Sequence, residues 1–68
     1  MSIRELNDQF EIQGAFHIKL WDDTENTAIT LARGDDFEID RWEIDDETME
    51  RKITYMYAVN GELNIEVE

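Results

Sequence analysis

Apolar residues recur along this chain in two rhythms, a helical one at the start and a two-residue alternation over most of the remainder. Ser2 and Glu5 stand at capping-box spacing, and Ile3 and Leu6, joined by Phe10, would share one side of a helix. The spacing predicts a helix over residues 3–9. At about two turns it is too short to stand alone and must dock on another element. Alternation then takes over. Phe10, Ile12, Phe16, Ile18 and Leu20 share one face, with Gly14 among them, while Glu11, Gln13, Ala15, His17 and Lys19 take the other. This is the pattern of a long amphipathic strand, bent near Gly14. Asp22 to Asn26 reads as a turn, residues 27–33 as a second strand with Ile29 and Leu31 inward, and Gly34-Asp35 as its end.

The alternation is ambiguous in two places. Phe37 and Ile39 fall on odd positions and Trp42 and Ile44 on even ones, so a strand through 37–44 needs a bulge or break at Asp40-Arg41 to keep them on one face. A helix is the competing reading, but Ile, Trp, Phe and Asp are mediocre helix formers. Residues 45–49 follow as a loop or a single helical turn. The second ambiguity is the C-terminal hairpin, where the stripes Ile53, Tyr55, Tyr57, Val59 and Leu63, Ile65, Val67 flank Asn60-Gly61. A two-residue type I′ turn would pair Ala58 with Leu63 and Met56 with Ile65, leaving Tyr55 and Tyr57 on the face of Glu66 and Asn64. A three-residue loop, Val59-Asn60-Gly61, shifts the register by one. It pairs Tyr57 with Leu63, Tyr55 with Ile65 and Ile53 with Val67. A one-residue slip flips a whole face, so the hydrophobic match favours the three-residue loop, and that register is the expectation.

Together these elements predict an α+β fold, mainly β. It comprises a short N-terminal helix and about five short, mostly antiparallel strands in a strongly twisted or partly closed sheet, ending in a C-terminal β-hairpin. Residues 1–68 are read as a single small domain. Its core supplies only a few kcal/mol of net stability.

Charge changes this picture more than composition does. Eighteen acidic against six basic side chains give a net charge of −12. Such a chain repels phosphate backbones and anionic membranes, so no direct nucleic acid and no membrane are expected as partners, and a basic protein surface is. The opening Met1-Ser2-Ile3-Arg4-Glu5 has no apolar core of a signal peptide, which gives a cytoplasmic expectation. The chain has no cysteine and a single histidine, so no thiolate metal site can form and no cofactor is expected.

Nine carboxylates crowd sixteen residues: Asp35, Asp36, Glu38, Asp40, Glu43, Asp45, Asp46, Glu47 and Glu50. Asp36, Glu38 and Asp40 fall at positions 1, 3 and 5 of an EF-hand count, with Glu47 at 12, but Arg41 replaces the turn glycine at 6 and opposes a metal. Paired carboxylates also serve acid–base catalysis, yet a chain this small scarcely encloses the pocket that would shift a pKa, and His17 has no evident nucleophile to activate. The chain is therefore read as no enzyme. In a strand, alternate residues stand about 6–7 Å apart, so Asp36, Glu38 and Asp40 would present a regular row of negative charge, loosely like phosphates. The plainer reading of that row is a solvated edge. Trp21, on the polar face of the first strand, is the best candidate for an exposed interface anchor. The alternative is that the helix or a loop covers it.

Two pieces, Phe10-Glu11-Ile12-Gln13-Gly14 and Ile53-Thr54-Tyr55-Met56-Tyr57-Ala58-Val59 running on to Glu68, resemble small acidic proteins encoded on prophages and other mobile elements of gut Firmicutes. The match covers 21 of 68 residues. The resemblance implies a phage or mobile-element context in a bacterial cytoplasm, and no activity. Mobile elements use DNA mimics against host defences. The expectation is then a non-catalytic acidic protein-interaction module, in its sharper form a DNA-mimic-like inhibitor of a nucleic-acid-binding, anti-defence target protein. The candidate interaction surface comprises the nine carboxylates together with Trp21. The alternative is a structural or accessory protein of a mobile element, forming a homodimer through a sheet edge or the face bearing Trp21.

Overall fold

The computed structural model describes residues 1–37 and 43–68. Their order is α1 (Ile3–Gln9), β1 (Ala15–Asp22), β2 (Thr27–Gly34), α2 (Asp46–Glu50), β3 (Ile53–Val59) and β4 (Glu62–Val67). Helix α1 begins where capping chemistry places it. The Ser2 hydroxyl accepts from the Glu5 backbone N–H at 3.1 Å, and the Glu5 carboxylate accepts in return from the Ser2 N–H at 3.4 Å. Ile3 and Leu6 are buried on one side of the helix. Burying each such side chain stabilises by roughly 1.5–3 kcal/mol, which is what docks so short a helix. The first strand is shorter than the alternation suggests. It starts at Ala15, after Gly14 turns the chain at φ +97°, and Phe10 caps α1 with its side chain exposed. The break sits at glycine because only glycine takes that conformation without strain.

Among the described residues four strands form one sheet in the order β2-β1-β4-β3. The outer pairs are antiparallel and the central pair, β1 with β4, is parallel. The sheet is open, with β2 and β3 as its two edges. The central places go to the two strands with the strictest apolar alternation. Phe16, Ile18 and Leu20 lie directly beside Leu63, Ile65 and Val67. Asp22 closes the β1–β2 turn by accepting from the backbone N–H of Thr24 at 2.9 Å, the local bond that makes Asp a turn residue. A bulge leaves Leu31 without a partner on β1, so Thr30 and Arg33 come to lie beside Lys19 and His17. The bridging segment expected as a bulged strand over 37–44 falls largely on residues 38–42, outside the described residues. At its borders Phe37 is buried and Ile44 packs against the core.

The hairpin register differs from the expected one. Val59 pairs with Glu62, Ala58 with Leu63 and Met56 with Ile65, so the turn is the two-residue one. Asn60 at φ 52° and Gly61 at φ 76° are both left-handed, as a type I′ turn requires. Turn chemistry prevails because the apolar match does not have to be sacrificed to it. A bulge at Thr54 restores Ile53 to the side of Val67, while Tyr55 and Tyr57 fall opposite Glu66 and Asn64 on the other face.

The core lies on one side of the sheet only. Phe16, Ile18, Ile65 and Val67 meet Ile3 and Leu6 from α1, Met49 from α2, and Phe37. The Phe37 ring stands edge-on to Phe16 at 5.3 Å between centroids. The two helices touch each other, and Arg4 on α1 ties them by ion pairs to Asp46, at 3.2 Å, and to Glu50.

Candidate functional site: the open face of the sheet

No described element covers the opposite side of the sheet. Odd positions of β1 place His17, Lys19 and Trp21 there, and the parallel register aligns the first two with Asn64 and Glu66 of β4. Thr30 and Arg33 arrive through the β2 bulge, and Tyr55, Tyr57 and Val59 through the type I′ turn. Trp21, Tyr55, Tyr57 and Val59 are respectively 47%, 67%, 39% and 49% exposed. Large rings are thus held on a rigid, hydrogen-bonded platform with much of their surface in water.

Polar side chains on this face lean across neighbouring strands. The Arg33 guanidinium reaches over β1 at Ala15 and meets both oxygens of Glu62, at 2.9 and 3.3 Å. Such a two-pronged pair has defined geometry, although at this exposure it adds little stability. His17 Nε2 lies 2.7 Å from the Thr30 hydroxyl and Nδ1 lies 3.7 Å from Glu62. Burial, then the positive charges of Lys19 and Arg33, hold the His17 pKa below its ordinary value of 6.5, against the opposing pull of Glu62. Lys19 passes over Asn64 toward Tyr57, its Nζ donating to the phenol oxygen at 3.5 Å and standing 5.6 Å from the ring centre.

Among the described residues, the carboxylates singled out in the sequence are spread over more than one part of the fold. Asp35 is exposed and Asp36 half-buried in the bend after β2. Glu43 and Asp45 are exposed before α2. Asp46 and Glu50 are engaged by Arg4, and Glu47 by Arg51 at 3.1 Å. These last three ride on α2, whose Met49 enters the core from the helical side, whereas Trp21 projects from the other side. Glu38 and Asp40, and with them the regular row of charge, lie outside the described residues. Among the described residues no three His, Asp or Glu side chains gather as a metal site would need, and no helix is long and apolar enough to cross a membrane.

Trp21 stands where its strand phase put it. Tyr55 and Tyr57, which the expected register pairs with Ile65 and Leu63, are instead on the open face, and Val59, expected in the loop, is a strand residue beside Glu62. The signal that finds them is Asn60-Gly61, the strongest short-range mark of a two-residue hairpin. Comparison of the chain with protein-family models, curated proteins and solved structures returned no match.

Proposed function

We propose that this chain is a non-catalytic, acidic protein-interaction module whose docking surface is the open sheet face and whose partner presents a basic surface. The observation that carries the reading is the joint exposure of Trp21, Tyr55, Tyr57 and Val59 on a face that no described element covers. Aromatic side chains dominate interface hot spots, and rings already fixed on a sheet lose little freedom on binding. The net charge of −12 supplies steering, raising the encounter rate with basic partners and repelling nucleic acid and anionic membranes. A basic site on a nucleic-acid-binding protein is one such surface, and the DNA-mimic form of the reading gives Glu38 and Asp40 the part of phosphates. The resemblance to mobile-element proteins supports a bacterial cytoplasm as its setting.

A second reading has its own observation. At the middle of the open face Lys19 and Arg33 stand among Glu62 and Glu66, so the charges there balance in number and two copies can meet with little net repulsion. Two measurements decide. Light scattering over a range of concentrations reads self-association. Capture of basic proteins on the immobilised chain, at low and high salt, compares wild type with the Trp21→Ala, Tyr55→Ala double variant. The expected result is a monomer that retains basic proteins at low salt, releases them as salt rises, and loses them with the double variant. Retention indifferent to both salt and the substitutions refutes the proposal. A tight homodimer insensitive to charge reversal at Glu38 and Asp40 establishes the second reading instead.

A further inference from the structure

Glu66 differs from every other charged group on the open face. It lies beside Lys19 of β1 and Tyr55 of β3 and is half-buried. Lys19, its direct neighbour, turns instead to Tyr57. Thr54 donates to the Glu66 backbone carbonyl at 3.1 Å, and among the described residues no side chain pairs with the Glu66 carboxylate. Glu62, four residues earlier on the same face, is by contrast gripped by Arg33. Trp21 and Tyr55 line a groove together with Glu66, and its other charged lining residues are Asp23, Glu68 and Lys52, the last standing 4.0 Å from Glu68. The groove thus carries three carboxylates against one ammonium, between two exposed rings.

We propose that this groove is a seat for an arginine side chain of a partner protein, with the guanidinium stacked on Trp21 and Tyr55 and paired with Glu66. The inference rests on the docking function proposed above and names the chemistry the partner must bring. A half-buried carboxylate has shed part of its hydration without gaining a cation, and a guanidinium supplies both charge and paired donors. Arginine fits better than lysine, because its plane stacks on aromatic faces and it is the more weakly hydrated of the two. The arginine comes from another kind of chain. Among the described residues Arg4, Arg33 and Arg51 are each already in an ion pair, so a second copy has none of these to spare.

The test is a titration of the ¹⁵N-labelled chain with the tripeptide acetyl-Gly-Arg-Gly-amide and with its lysine and citrulline counterparts, read on the backbone amides and the Trp21 indole. Saturable shifts confined to Trp21, Tyr55 and Glu66 are expected. Arginine should bind about threefold or more tightly than lysine, and neutral citrulline should not bind. Glu66→Gln should weaken the arginine peptide about tenfold. Tyr55→Ser, at a more exposed position, gives a second variant, and the citrulline comparison needs no variant at all. The proposal is overturned by shifts that do not saturate, that centre on α2, that are as large with lysine or citrulline, or that persist in folded Glu66→Gln. Shifts at the same groove on concentrating the chain without peptide overturn it in favour of a second copy. If the peptide fails while basic proteins are still retained through Trp21 and Tyr55, the arginine seat falls and the docking function stands.

Discussion

Substituting Tyr55 by serine separates the two hairpin registers by stability alone. A Tyr side chain presents about 150–250 Å². With Tyr55 67% exposed, only a third of that surface is withdrawn from water. At about 25 cal/mol per Å² the loss is at most ~1–2 kcal/mol, and less against a denatured chain that is itself partly collapsed. Had Tyr55 paired with Ile65 in the interior, the whole ring would be buried, and truncation would cost about 3–5 kcal/mol. A domain this small has about 3–5 kcal/mol in total, so that loss would unfold it. The control is Ile65→Ala. Ile65 is fully buried beside Ile18, and its truncation should cost about 2–5 kcal/mol. Urea denaturation followed by far-ultraviolet circular dichroism reads both variants. Tyr55→Ser should remain folded with a modestly lowered midpoint, whereas Ile65→Ala should be largely unfolded at 25 °C. A Tyr55→Ser loss as large as that of Ile65→Ala would refute the open-face placement of the tyrosines.

Two further outcomes follow from the turn and from His17. A Cβ at Gly61 would meet nothing within 4 Å, so Gly61→Ala should cost only the left-handed conformation, roughly 1–2 kcal/mol in urea denaturation; a much larger loss would mean that a neighbour does obstruct the site. For His17 the folded pKa lies below 6.5, so the unfolded chain takes up the proton first as pH falls; the stability of the neutral form is fully present above 6.5 and is lost as pH drops through 6.5 toward the folded value. The NMR titration of its ring protons should therefore show a midpoint under 6.5 that rises in Lys19→Ala, and a midpoint unmoved by that substitution would contradict the part given to Lys19.

The elements easiest to read in the chain are those whose determining bonds span a few residues. Ser2 and Glu5 set the start of α1 because both partners of the capping box lie within one turn. Asp22 marks its turn because it bonds to the next N–H groups along the chain. Alternation identified the inward set of β1 and β4: of those six side chains Phe16, Ile18, Ile65 and Val67 are in the core, and Leu20 and Leu63 pack against it. It misled at Phe10 and Ile12, where the same spacing runs on across a glycine that in fact breaks the strand. It misled again at Tyr55 and Tyr57, since a period of two identifies a face without saying whether that face is covered.

The sequence by itself determined the local geometry: where a helix starts, where the chain turns, and which side chains share a face. These rest on dihedral preferences and short-range hydrogen bonds that operate before the chain is compact. Only the tertiary structure decided the order β2-β1-β4-β3 and which of the two faces the helices cover. Among the described residues two short helices and Phe37 cover the central strands on one side, where the apolar rows are most continuous, while Ile29 and Met56 on the edge strands of that side stay half exposed. The other side, with Trp21, Tyr55 and Tyr57, is exposed because no described element is left to cover it. The same global choice set the carboxylates of α2 on the opposite side from Trp21. A pattern of residues along a line cannot encode which layers remain to be packed once the first core is complete.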